Sequence, residues 1–356
     1  MTTGLALHNA ANVFRLNYGK ALRAGARVQG SVPVFGSGGL VGHHDTPLTQ
    51  GRAIVVGRKG SIGSVTFSDA PSWPIDTAYF IDEASTACDL RWLYWCLRNM
   101  GLSGMNKSAA VPGLNRDDVY RLRMCVPPIV EQRRIAAILD QADELRAKRR
   151  RTLALLDEAL PAAFAELFHG ASHATARLND VGIVRTGRTP AAGSINSKSL
   201  GVPFVTPGDL ASDKPVARYV HDIAALAKVA VPAGSLLVCC IGATVGKLAL
   251  ATEISMYNQQ INSVEWGPSI EPAYGLFAVN ELRGRIRDSA ASTTMPILNK
   301  TQFSALRIPV PPMADQQAFS EVFEAHGRVR NQAIAHLAHL DELFASLQHR
   351  AFTGQL

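Results

Sequence analysis

No stretch of 18 or more apolar residues occurs in the chain, so no segment is long enough to cross a bilayer as a helix. Cysteine is scarce and odd in number: Cys88, Cys96, Cys125, Cys239 and Cys240. No two are spaced as Cys-x-x-Cys, which argues against a zinc site or a disulfide framework and predicts reduced, mostly buried thiols of a cytoplasmic protein. Charged residues are only 18% of the 356, while hydrophobic ones reach 47%, so a sizeable core is expected and disorder is not the default. The opening MTTGLALHNAANVFRLNYGK lacks a basic start followed by a long apolar run and reads as mature sequence. Acid is the scarcer sign. The net charge of +7 favours an anionic partner, nucleic acid first.

Catalytic signatures are missing as well. GATVGKL (242–248) falls one residue short of a phosphate loop, and Leu248 stands where a magnesium-holding hydroxyl belongs; its glycines fit a tight strand turn better. GHHD (42–45) has no second His or Cys cluster to complete a metal site and reads as an exposed loop. Neither GxSxG nor HExxH occurs, and both Pro-Pro pairs follow valine (Val126, Val310) rather than the Asn or Asp of a DNA-methylating clamp. A binding protein is the expectation.

What the chain does have is a repeat. PGLNRDDVYRLRMCVPPIVEQ (112–132) and PILNKTQFSALRIPVPPMADQ (296–316) stand 184 residues apart, with Leu114-Asn115 on Leu298-Asn299, Pro127-Pro128 on Pro311-Pro312 and Glu131-Gln132 on Asp315-Gln316. Upstream the offset drifts, as insertions would cause: VPVFGSGGL (32–40) meets VPFVTPGDL (202–210), and Gly63 meets Gly246. Each copy opens with short apolar runs punctuated by Gly and Pro, predicting strands, and has one short helix, over 90–99 and 273–286. Asn115 and Asn299 read as helix caps.

After each Pro-Pro turn apolar residues recur at spacings of three and four. The seams are Ile135, Leu139, Ala142, Arg149, Leu153, Leu156, Leu160, Ala163, Leu167 and Phe319, Phe323, His326, Val329, Ala333, Leu337, Leu340, Phe344, Leu347, Ala351. They predict two long helices that are unstable alone and pack antiparallel, with Pro161 kinking or interrupting the first. The basic run RAKRRR (146–151) fits a solvated helix face better than a phosphate contact. The fold class is thus α+β: two mixed strand-rich domains (1–126, 171–310) joined by coiled-coil-like helices (127–170, 311–356), with internal pseudo-two-fold duplication.

Written twice in register, L-N-x6-L-R-x2-V-P-P-x2-(E/D)-Q resembles the specificity subunit of type I restriction–modification systems. VPVFGSGGLVG (32–42), AIVVGRKGSIG (53–63) and GRTP (187–190) resemble its target-recognition domains; the first copy has YGKAL (18–22) where the second has GRTP. The resemblance covers essentially the whole chain. It implies a non-catalytic subunit whose two domains each read half of a bipartite, asymmetric double-stranded DNA target. The helices would set the gap and dock two methylation subunits and, through them, restriction/translocation subunits. No cofactor is expected in this chain; S-adenosylmethionine, ATP and Mg²⁺ would belong to the partner subunits. Polar and basic residues beside loop glycines are the candidate DNA contacts, since backbone there can approach DNA closely. They are Arg58, Lys59 and Ser61, with Asn106, Lys107 and Ser108, in the first domain. In the second they are Thr244 and Lys247, Ser292, Thr293 and Thr294, Lys198, and Asn258, Gln259 and Gln260. The alternatives are a tandem adaptor for a non-DNA partner and an enzyme with an unrecognised site.

Overall fold

Each Pro-Pro phrase ends a short strand and opens a helix of 40 residues: Ile129–Phe168 after Pro127-Pro128, and Met313–Phe352 after Pro311-Pro312. At ~1.5 Å per residue each is ~60 Å long. Proline cannot donate to a strand ladder, and its missing N–H costs nothing where a helix begins. Glu131 and Asp315 stand in the first turns, where the helix dipole favours an acid. The computed structural model describes the chain except for residues 1–6, 106–112, 171, 191–192, 197–200, 211, 213, 222–228 and 291–296. It divides into two compact units, Met1–Arg150 with Ala335–Leu356, and Arg151–Ile334. Each unit holds one strand-rich domain and part of both long helices.

The two domains share one topology. In the first unit a four-stranded antiparallel sheet runs Asn17–Tyr18, Ala78–Asp82, Ala53–Gly57, Val65–Ser68. The second unit repeats the order with Gly182–Thr186, Ile261–Trp266, Leu236–Cys239, Leu248–Leu250. The central strands Ala53–Gly57 and Leu236–Cys239 are buried throughout, as runs rich in β-branched and leucine side chains require. Each domain also has a smaller sheet containing one parallel pair, Val32–Gly36 with Trp73–Pro74 and Val202–Val205 with Met256–Tyr257. A two-stranded antiparallel ribbon closes each domain: Leu7–Asn9 pairs with Arg123–Cys125, and Thr175–Arg177 with Arg307–Pro309.

One helix of each domain docks on the long helices. In the first unit this is Leu90–Asn99, whose Asp89 cap accepts the N–H groups of Arg91 and Trp92. Its Trp92, Leu93, Trp95 and Leu97 share a core with Ile135, Leu139 and Phe344. Asp140 Oδ1 accepts from both Arg91 Nε and Trp95 Nε1, each at 2.7 Å. In the second unit Pro272–Glu281 docks instead through rings: Tyr274 and Phe277 lie among Phe164, Phe168, Phe319 and Phe323.

The long helices pair antiparallel within each unit. Arg134 reaches the Leu356 carbonyl and Arg146 reaches Asp341 in the first. Asp157 meets Arg330 and Phe164 meets Phe319 in the second. Arg146 also pairs with Asp143 and lies 4.2 Å over the Phe344 ring, so the basic run is partly a structural device. The seam departs from its sequence reading in two places. Pro161 does not interrupt the first helix, but beyond it Phe164 and Phe168 are buried while Leu167 is 46% exposed. Val329 is 50% exposed, and the inward place is taken by Arg330, which bonds Asp157 at 2.8 Å. The helix expected over 273–286 ends at Glu281; a separate helix, Arg283–Ala290, follows. His44 of GHHD is no exposed loop residue: it ends strand Gly39–His44, 7% exposed, its Nδ1 accepting the Val28 N–H.

Candidate nucleic-acid interface

The loop after each central strand is held by the same four backbone hydrogen bonds. In the first unit Gly57 N–H donates to Ser64, Gly63 to Gly57, Ser64 to Ser61, and Leu114 to Arg58. In the second Cys239 donates to Lys247, Gly246 to Cys239, Lys247 to Thr244, and Leu298 to Cys240. Gly63 and Gly246 both have positive φ, 68° and 85°. A Cβ on Gly63 would lie 2.3 Å from the Leu102 carbonyl carbon, so only glycine lets this loop sit on that backbone. The sequence match of Gly63 with Gly246 is a match in space.

This superposition pairs Ser61 with Thr244 and Ser64 with Lys247, but Arg58 with Cys240. Arg58 and Cys240 differ as far as two residues can. The Arg58 guanidinium lies 5.0 Å over Tyr18, itself 50% exposed, and donates to the Asp76 carbonyl at 3.1 Å. Cys240 is buried, and burial pushes its thiol up to about 12. Lys59 and Ser61 are exposed beside Arg58. In the second loop Thr244 faces Cys239 Sγ at 3.3 Å, and Lys247 is half-buried. The loop is a hairpin between antiparallel strands, not the strand-to-helix turn of a phosphate loop.

The remaining candidates divide. Asn258 Oδ1 accepts the Gln260 N–H and its Nδ2 reaches Gln260 Oε1, so both stabilise a turn; exposed Gln259 accepts from Thr189 Oγ1 of GRTP. Asn106, Lys107, Ser108, Lys198, Ser292, Thr293 and Thr294 lie outside the described residues. Leu102 and Leu114, on either side of 106–112, both meet the Arg58–Gly63 loop. Asn115 and Asn299 are caps, accepting from Asp117 N–H at 2.8 Å and Gln302 N–H at 2.9 Å. Asn299 completes a capping box with Gln302, whereas Asp118 pairs with Arg121 instead.

Sequence reasoning missed Arg283, Arg285 and Arg287. Their helix packs on the second loop: a Cβ on Gly246 would meet Arg283 Cγ at 3.0 Å, and Arg287 Nε points at the Val245 carbonyl, 3.4 Å away. Arg285 and Arg287 are exposed, and none of the three holds an ion pair among the described residues. The alternating RGRIR was the available signal, but its packing on Gly246 is a long-range fact. Gly19 and Gly187 are a further equivalence. A Cβ on either would lie 2.1 Å from a carbonyl oxygen, of Ile75 or Asn258, so YGKAL and GRTP leave their strands at the same place.

Among the described residues no group of three His, Cys, Asp or Glu could hold a metal, and no helix is long and apolar enough to cross a membrane. All five cysteines are free. A family model described as "Type I restriction modification DNA specificity domain" matches residues 11–155 and again 173–339. The specificity subunit of the Escherichia coli type I restriction enzyme EcoprrI is 29% identical over 114 residues, 32% of this chain and 28% of that relative. The crystal structure of a type I restriction-modification system S subunit from M. genitalium has a TM-score of 0.73 at 15% identity, covering 99% of this chain and 97% of its own. A chain from a structure on complex assembly and conformational transition of the type I R-M system gives a TM-score of 0.59 at 15% identity, covering 100% and 99%.

Proposed function

The chain belongs to the type I restriction modification DNA specificity family, and we propose that its two strand-rich domains each read one half of a bipartite, asymmetric double-stranded DNA target. The observation that carries this reading is one hydrogen-bonded loop frame built twice with different side chains on it. Arg58, Lys59 and Ser61 stand on the first; Thr244 and Lys247, flanked by Gln259 and Arg283, Arg285 and Arg287, stand on the second. Arginine and lysine pair with guanine and with phosphate, glutamine with adenine, so unlike sets select unlike half-sites. The net charge of +7 favours DNA over an uncharged partner.

The chain acts without catalysing. Its long helices set the gap between half-sites and dock two methylation subunits, and through them the restriction and translocation subunits. S-adenosylmethionine, ATP and Mg²⁺ are the business of those partners. The test is to co-express the chain with a type I methylation subunit and sequence the methylated DNA. A gapped, asymmetric, adenine-methylated motif that appears only with this chain is the expected result. Failure to associate with a cognate methylation subunit, or methylation independent of the chain, overturns it.

A further inference from the structure

The repeated glutamine of the Pro-Pro phrase does the same thing in both units. Gln132 is 3% exposed; its Oε1 accepts the Asp89 N–H at 2.8 Å and its Nε2 donates to the Pro127 carbonyl at 2.8 Å. Gln316 is fully buried; its Oε1 accepts the Glu271 N–H at 2.9 Å, and its Nε2 donates to the carbonyls of Pro311 at 2.9 Å and Ser269 at 3.1 Å. Asp89 and Glu271 are the residues from which the docking helices Leu90–Asn99 and Pro272–Glu281 begin. One amide therefore ties three things at each joint: the Pro-Pro bend, the first turn of the long helix, and the start of the domain helix lying against it.

We propose that Gln132 and Gln316 are positioning residues that fix the angle of each recognition domain on its long helix, and so decide how strictly the gap between half-sites is read. The proposal rests on the bipartite reading above. Apolar contacts hold a helix down but are non-directional, so they resist separation more than rotation. A buried amide with both ends bonded is directional, and breaking either end strands a polar group away from water. The two joints differ in what else is directional. The first has Asp140 bonded to Arg91 and Trp95 as a second tie. In the second the neighbouring contacts are mainly aromatic rings, with one hydroxyl bond from Tyr274 to the Pro309 carbonyl and a solvent-exposed contact of His169 with Glu281 at 3.4 Å, which water weakens. Gln316 thus carries more of its joint than Gln132 does.

The experiment uses the full chain assembled with its methylation subunits and duplexes carrying the mapped target, the target with its gap one base pair longer or shorter, and the target with one half-site base changed. Gln316→Met keeps the length and removes every bond. Gln316→Asn, one methylene shorter, keeps an amide that reaches only one side. Val264→Ala, in a fully buried strand position of the same unit, controls for lost stability while leaving every Gln316 hydrogen bond in place. Gln316→Met should lower discrimination against the altered gaps about tenfold, the scale of one to two net hydrogen bonds. Base discrimination should stay within about twofold, because the loop frames are untouched. Gln316→Asn should fall between, Gln132→Met should do less, and Val264→Ala should leave gap discrimination alone. Unchanged gap discrimination in both Gln316 variants overturns the inference. So does equal relaxation in Val264→Ala, which would make the effect one of stability. A wild-type complex that binds no gapped duplex overturns the functional reading itself, a separate and recognisable failure.

Discussion

Arg285 and Arg287 give the sharpest quantitative test of the DNA binding proposed for the second unit. Both are exposed on a helix stacked against the Gly246 loop, and neither is held by an ion pair among the described residues. If each neutralises one phosphate, the slope of log affinity against log salt falls by ~0.9 per arginine removed. The double variant Arg285→Ala, Arg287→Ala should therefore lose ~1.8 from that slope. Over a fourfold rise in salt, the wild type then loses about twelvefold more affinity than the variant. Folding should be little changed, since alanine is the better helix former and exposed substitutions usually fall within ~0.5 kcal/mol. The assay is fluorescence anisotropy of the assembled complex over a salt series, run on the cognate duplex and on one with the second half-site scrambled. A phosphate contact weakens both duplexes alike; a base contact weakens the cognate one alone. A salt slope that matches wild type removes both arginines from the interface.

Other outcomes follow from the same geometry. Asp140→Ala strands the indole N–H of fully buried Trp95 and loses a partly exposed ion pair with Arg91, so it should destabilise the first unit by roughly 2–4 kcal/mol. Trp73, Trp92 and Trp95 all lie in that unit, so tryptophan fluorescence during urea unfolding reads the loss directly. Gly63→Ala should cost more than Gly246→Ala, because its Cβ would strike Leu102 backbone whereas at Gly246 it meets a movable arginine side chain; thermal melts of the pair decide this. Burial pushes the thiols of Cys96 and Cys240 up to about 12, from an ordinary 9.0. They stay neutral when folded but ionise when unfolded, so their contribution to stability is full below pH ~9 and is lost as pH rises toward ~12. Neither should react with a thiol reagent at neutral pH until denaturant is added.

The helices were legible because their rules are local. Proline pairs, first-turn acids and apolar spacing fixed both starts to within two residues, and the Asn115 and Asn299 caps followed from side-chain chemistry alone. The seam failed where a single residue changed the accounting. At Pro161 the helix runs on with one hydrogen bond fewer, and beyond it Phe164 and Phe168 are buried; at Arg330 an ion pair fills a place that spacing assigned to Val329. The loop comparison held at Gly63 and Gly246, but it left open what stands opposite Arg58. The second loop has one residue more between its strand end and its glycine, which puts buried Cys240, not a cation, opposite Arg58. Spacing from a single sequence does not say where such an extra residue is absorbed. The glutamines were visible as a repeat, but nothing local says which backbone N–H a buried amide oxygen meets more than forty residues away.

The closing ribbons have a consequence for how such a chain can vary. Leu7–Asn9 with Arg123–Cys125, and Thr175–Arg177 with Arg307–Pro309, each pair through three residues in matching register. The chain therefore leaves each domain beside the point where it came in. Whatever lies between is a loop hung from a fixed hook, and its length is invisible to the helix that follows. The second domain already uses this freedom: it places strands Ile195–Asn196 and Tyr219–Val220 where the first has the single strand Gly39–His44. Insertions and deletions there can rewrite what a domain touches while leaving the onset of its long helix unmoved.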